Sequence, residues 1–158
     1  MDDILTAIYR KDYEALERSL QSRIDANTRD DQGRTPLMHA VLAEDADPRL
    51  VKLLIQHEAD VNSPDEHQWT ALHFAARDQK EDIVRTLLDS GASVDALDAF
   101  GDTPLWRAVM NFSGNVGIIK MLLKHGADPQ KRNNSGVSPI DLAQKSGQAE
   151  VLALLERK

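Results

Sequence analysis

Short apolar stripes at helical spacing alternate along this chain with polar, turn-rich stretches. Ile4, Leu5 and Ile8 form the first stripe. Leu16 and Leu20 form the second, with Glu14, Glu17 and Arg18 on the opposite side. Stronger stripes follow at Leu50, Val51, Leu53, Leu54 and Ile55, then at Ile83, Val84, Leu87 and Leu88. Two more lie at Ile118, Ile119, Met121, Leu122 and Leu123, and at Val151, Leu152, Leu154 and Leu155. Apolar residues recurring at i, i+3 and i+4 give a helix one buried face. Each strong stripe follows a shorter segment that opens with Thr or Ser: Thr35-Pro36-Leu37, Thr70-Ala71-Leu72, Thr103-Pro104-Leu105 and Ser138-Pro139-Ile140. Thr and Ser are N-cap residues, and Pro at the first helical position gives up no useful hydrogen bond. Ala40, Ala75, Ala76, Ala108 and Ala143 then let these short helices pack closely, with Leu37, Leu72, Leu105 and Ile140 facing the core. The pattern predicts helix pairs, and the chain as a whole reads as all-α.

The leading Thr and Ser residues stand 35, 33 and 35 positions apart. A period of that size marks a repeat array. The segments from Asn27 to Thr35, Asn62 to Thr70, Asp95 to Thr103 and Gln130 to Ser138 all span eight positions. The two extra residues of the longer repeats therefore fall between paired helices, at Asp45-Ala46-Asp47-Pro48 and Phe112-Ser113-Gly114-Asn115. Stacked hairpin-like loops need a fixed register, whereas a surface turn tolerates insertion. Gly33, Gly101 and Gly136 stand two positions before the Thr or Ser and are expected at positive φ. Gly91 and Gly126 end two long helices in the manner of αL caps. Gln68 and Glu58 replace Gly at the corresponding places, at about 1 kcal/mol each if the positive φ is kept. Asp30, Asp65 and Asp98 are expected to bond turn amides.

The combination Asp-x-x-Gly-x-Thr-Pro-Leu, then Ala, then Leu-Leu-x-x-Gly-Ala-Asp resembles the ankyrin repeat, and it recurs in phase over almost the whole chain. The resemblance implies a single domain, 1–158, folded as a solenoid of stacked helix–turn–helix units joined by hairpin-like loops. Its expected parts are a capping repeat (1–29), full repeats (30–62, 63–97 and 98–130) and a closing repeat (131–158). Residues 2–29 lack Thr-Pro-Leu, but Arg23-Ile24-Asp25-Ala26-Asn27 matches Glu58-Ala59-Asp60-Val61-Asn62, so they read as a degenerate first repeat. Asp2 and Asp3 suit the positive end of a helix dipole. Glu150, Glu156, Arg157 and Lys158 are expected to wet the outer side of the last unit. The family commonly places His after the Leu to tie neighbouring repeats. Here only His73 keeps it, and Met38, Trp106 and Asp141 take the equivalent positions.

The resemblance also implies a recognition scaffold, without a cofactor, whose partner docks on the hairpin tips and on the concave face of the first helices. Carried over residue by residue, the binding positions include Arg34, Glu66, His67, Trp69, Arg77, Asp78, Phe100, Asp102, Met110 and Asn111. Trp69 and Phe100 are expected at the surface in a chain with only seven aromatics. Exposed aromatics flanked by charge have the composition of an interface hot spot. With Met110 and Phe112 they form an expected apolar patch bordered by Arg77, Asp78 and Asp102. A structural alternative stands beside it: Trp69 folded back over a neighbouring loop, Phe100 covering the adjacent tip, Phe112 filling a gap. Trp106 reads as a packing residue.

Charge narrows the partners. A formal charge of −7 repels phosphate backbones and anionic lipid, which argues against nucleic acid and membranes and favours a basic protein. The chain has no cysteine and no apolar run long enough to span a bilayer, and its first residues carry no leader-like pattern, so a cytoplasmic protein is expected. None of His39, His57, His67, His73 and His125 forms a metal pair on one helix face, and no phosphate-binding Gly-rich loop or nucleophile elbow occurs. His57 and His125 suit the ends of long helices. The expected protein is a monomeric, non-enzymatic binder without metal or cofactor, in its most specific form an inhibitor or immunity partner of a basic enzyme. The alternative is a scaffold that self-associates.

Overall fold

A computed structural model describes residues 2–22 and 25–157; the expected roles of the Asp2 side chain, Arg23, Ile24 and Lys158 lie outside the described residues. The described residues form ten helices and no strand. They are α1 (Asp2–Arg10), α2 (Tyr13–Gln21), α3 (Pro36–Leu42), α4 (Pro48–Gln56), α5 (Ala71–Arg77), α6 (Glu81–Asp89), α7 (Pro104–Met110), α8 (Gly117–Lys124), α9 (Pro139–Lys145) and α10 (Ala149–Leu155). Each odd helix packs on the even helix that follows it. The odd helices also stack on one another, as do the even ones, so the chain is a two-layered solenoid of the expected all-α kind.

Local chemistry sets the helix starts. The hydroxyls of Thr35, Thr103 and Ser138 accept from the amides of Met38, Trp106 and Asp141, each with Pro next in sequence. Between the layers lie Leu37, Leu72 and Leu105 from the first helices, with Val51, Leu54, Val84, Leu87, Ile119 and Leu122 from the second, all buried. Ile140, expected in the core, is half-buried. The extra residues of the longer repeats sit where expected, between α3 and α4 and between α7 and α8. Those wider turns leave carbonyls at the ends of α3 and α7. Lys80 Nζ donates to the Val41 and Ala43 carbonyls at 2.7 and 2.8 Å, and Gln148 Nε2 donates to the Val109 carbonyl at 3.1 Å. The following repeat thus satisfies what the insertion opened.

The loops repeat one design. Asp30, Asp65, Asp98 and Asn133 each open a loop in which the amide three residues on, that of Gly33, Gln68, Gly101 or Gly136, donates back to the opening carbonyl. Each opening amide donates in turn to the carbonyl four residues on. One side-chain oxygen of each opening residue also accepts two loop amides, as expected for the three aspartates. Successive tips are joined: Glu66 N to Gln32 O, Ala99 N to His67 O and Asn134 N to Phe100 O, at 2.9 to 3.1 Å. These bonds tie the units at Met38 and Trp106, where the His is missing. On the side where the second helices end, Asn27 bonds Glu58 O and Asp60 N, and Asn62 bonds Gly91 O and Ser93 N.

Two predictions follow from the backbone and the buried histidine. Gln68 and Glu58 take φ of +62° and +65°, matching Gly33 at +72° and Gly91 at +86°. Both side chains are exposed. Relief of about 1–2 kcal/mol of αL strain, less about 0.4–1 kcal/mol of added unfolded-state freedom, leaves each of Gln68→Gly and Glu58→Gly stabilised by ~0.5–1 kcal/mol. Denaturant melts at unchanged m-value measure this, and a loss of stability would show that these side chains hold the fold in another way.

His73 is fully buried. Its Nδ1 accepts from the Thr70 amide at 3.1 Å, which fixes the proton on Nε2, and Nε2 donates to the Asp102 carbonyl at 3.1 Å. Burial lowers its pKa from the ordinary histidine value. The unfolded chain therefore binds this proton first. The stabilising contribution is complete above the unfolded value, about 6.5, and is lost as pH falls from there through the lowered folded value. Unfolding free energy should drop between pH 7 and 5, and the slope should shrink in His73→Gln. An unchanged slope removes His73 as its source.

Candidate binding face

The first helices and loop tips of successive repeats share one face. Arg34, Trp69, Asp102 and Val137 close the four loops, one residue before the helix caps. His39, Phe74, Arg107 and Leu142 lie one turn into the helices that follow. On this face three arginines interleave with aromatic rings. The Arg34 guanidinium lies 5.8 Å from the Phe74 ring centre, and that of Arg77 lies 5.3 Å from both Phe74 and Trp69. Arg107 lies 4.4 Å from Trp69 and 5.4 Å from Trp106. Trp69 and Phe74 pack at 4.9 Å between ring centres. Such contacts each contribute on the order of 0.5–1 kcal/mol at half-exposed sites. Trp69, expected at the surface, is therefore half-buried and clamped into a ladder that runs from the first loop to α7.

Asp102 is not a border residue of an exposed patch, as expected from its position. It is 4% exposed. Its carboxylate accepts from Asn133 Nδ2 at 2.6 Å and pairs with Arg107 at 3.0 Å, while burial pushes its pKa up. Arg107 Nε also donates to Asp98 at 3.1 Å, its Nη2 donates to Asp98 as well, and the same Nη2 forms the ion pair with Asp102. Buried pairs of this kind are strongly destabilised when one partner is removed. Arg107 was not among the residues expected at the site, although its nine-residue spacing from Asp98 repeats that of His39 from Asp30. His39 Nε2 bonds Asp30 at 2.9 Å, and its Nδ1 bonds the Tyr9 hydroxyl at 2.8 Å.

The other expected residues are at the surface to different degrees. Glu66 and His67 are exposed on the second tip, and Arg34 is half-buried. Arg77 and Asp78, both half-buried, hold each other through bonds of 2.6 and 3.0 Å. Asn111 is exposed and donates to the Arg107 carbonyl at 2.9 Å. Phe100 and Met110 are 64% and 56% exposed. Among the described residues no ring pairs with Phe100, so it does not join Trp69 in one aromatic patch. Phe112 is half-buried against the core and Trp106 is half-buried in the ladder, in keeping with packing roles. Leu97, 48% exposed at the root of the same loop as Phe100, was missed. It stands where Arg29 and Arg132 arch back over their own loops, onto the Gly33 and Gly136 carbonyls. Among the described residues no cluster of acidic and histidine side chains is placed to hold a metal, and no helix is long and apolar enough to cross a membrane.

The sequence matches, over residues 4–98 and 90–158, the family model described as ankyrin repeats (3 copies). It is similar to neurogenic locus notch homolog protein 1 of Xenopus tropicalis, with 37% identity over 131 residues. That alignment takes in 82% of this chain and 5% of the relative. The human protein of the same name is 36% identical over 131 residues, with the same shares. Palmitoyltransferase Hip14 of Drosophila melanogaster is 39% identical over 93 residues, which is 58% of this chain and 14% of that protein. The chain thus spans only a small part of each relative. With four capped loops in register, two helical layers and a family match that runs nearly end to end, the chain belongs to the ankyrin-repeat family.

Proposed function

We propose that this chain is a non-enzymatic protein-recognition module that holds a protein partner against its loop tips and first helices, with Phe100 and Met110 at the apolar centre of the contact. Ankyrin repeats are generic protein–protein interaction modules, and a partner protein is the class of ligand the family supports. The observation that carries the placement is the distribution of exposed apolar groups. Four large apolar side chains are exposed among the described residues, and three of them, Leu97, Phe100 and Met110, lie at the root of the third loop, on that loop and on the helix α7 that follows it. Single exposed apolar residues are ordinary, but a concentration of them marks an interaction surface. Glu66, His67, Arg77, Asp78 and Asn111 supply a polar rim. The net charge of −7 supports a basic partner drawn in by long-range attraction. In its narrowest form the proposal is an inhibitor or immunity partner of a basic enzyme.

Affinity capture from native lysate, read by mass spectrometry, names the partner, and calorimetry with the purified pair then tests the surface. Phe100→Ala/Met110→Ala should weaken binding by about 2 kcal/mol or more while leaving the melting temperature unchanged, as hot-spot truncations at exposed positions do. Trp69→Ala should instead destabilise the fold by about 2 kcal/mol, part of the cost of a buried aromatic truncation, because its ring packs in the ladder. Undiminished affinity in the Phe100/Met110 variant moves the contact off this repeat. Concentration-dependent dimers in sedimentation, without a captured partner, would replace this reading with self-association.

A further inference from the structure

We propose that Arg34 anchors a carboxylate of the bound protein, an Asp or Glu side chain on the segment that crosses the first two loops. This deepens, and rests on, the reading of the face as a protein-recognition surface.

Each arginine of the ladder lies against an aromatic ring, and two of the three also hold a carboxylate of their own chain. Arg77 grips Asp78 through Nε and Nη2. Arg107 grips Asp98 and Asp102. Arg34 is set in the same way against Phe74 but grips nothing. Among the described residues its guanidinium forms no ion pair and no hydrogen bond, and its Nε is buried without an acceptor. Two of the acids nearest to it in the loops are committed. Asp30 accepts from the Gln32 and Arg34 amides with one oxygen and bonds His39 with the other. Asp65 is buried and accepts from the His67 and Trp69 amides. Glu66, exposed beside Gly33, makes no ion pair with Arg34 among the described residues.

A guanidinium offers five N–H donors in a rigid fork that matches a carboxylate. Nε is buried, while Nη1 and Nη2 make no bond within the described residues and are not buried, so an incoming carboxylate meets the open edge of the fork and exchanges water there for charge-assisted bonds. Contact with the Phe74 ring limits the freedom the side chain loses on binding. A partner that is basic overall and acidic at this one residue is consistent with both features of the chain. Net charge acts on approach, across a Debye length of about 10 Å at 0.1 M salt, whereas the fork acts only at contact.

The test uses the full chain and random twelve-residue peptides displayed on their encoding RNA. Wild-type protein should enrich peptides that share one Asp or Glu in a fixed register beside apolar residues. Arg34→Met keeps an aliphatic stem beside Phe74, and it should bind the enriched peptides at least tenfold more weakly and select a pool lacking the acid. On the peptide side, replacing that acid by Asn or Gln should cost wild type at least tenfold and cost Arg34→Met nothing. This comparison reads the same contact on unaltered protein. An enriched pool without a fixed acid, or a peptide exchange that costs wild type less than twofold, overturns the anchor while the recognition face stands. If wild type enriches no peptide over bare resin, both the anchor and the face are overturned.

Discussion

Each loop of this solenoid hangs on a single side-chain oxygen. The Oδ1 atoms of Asp30, Asp65, Asp98 and Asn133 each accept two backbone amides, two and four residues ahead, and so fix the turn that the Gly or Gln at positive φ completes. With the turn fixed, the tip amides and carbonyls point along the solenoid axis and bond the neighbouring tips. The caps at Thr35, Thr70, Thr103 and Ser138 then start each helix at one register. Loop closure costs entropy whatever its geometry, and a turn that satisfies its own amides offsets that cost locally. The outer turns carry no such constraint, and that is where the two-residue insertions lie.

The insertions give the array a second rhythm. Repeats alternate short and long, and each long turn is answered from the repeat that follows. Lys80 reaches the Val41 carbonyl and Gln148 the Val109 carbonyl across the same sequence distance, 39 residues. A lysine and a glutamine share little chemistry beyond a long stem and a terminal N–H. What is repeated is a reach and a donor, which a comparison of residue types at that column does not reveal.

Periodicity carried most of the fold into view because helix spacing, capping and turn glycines are local rules that act within a few residues. Gln68 and Glu58 were readable as misfits for the same reason. The binding face was less legible. Asp102 and Trp69 occupy loop-closing positions that the repeat pattern places at the surface, yet one is buried and the other half-buried. The cause lies in the next layer of contacts. Arg107, in the helix after the third loop, reaches back to Asp98 and Asp102 and at the same time covers Trp69 from the repeat before. Such a contact depends on two repeats at once, and no single period contains it. A partial signal existed in the nine-residue spacing shared by Asp30 with His39 and Asp98 with Arg107.

The ladder and the exposed Phe100 and Met110 divide the work of a rigid surface. Interleaved rings and guanidinium groups hold the first two loops, α5 and α7 in fixed relation, so the groups above them are pre-ordered and lose little entropy when a partner docks. The same interlock makes the ladder a poor place for a partner to insert, because displacing Arg107 would leave Asp98 and Asp102 as buried, unpaired charges. Contact energy should therefore concentrate at its margins. The apolar groups of the third repeat stand at one margin. Arg34, the one guanidinium of the ladder without an acidic partner among the described residues, stands at the other.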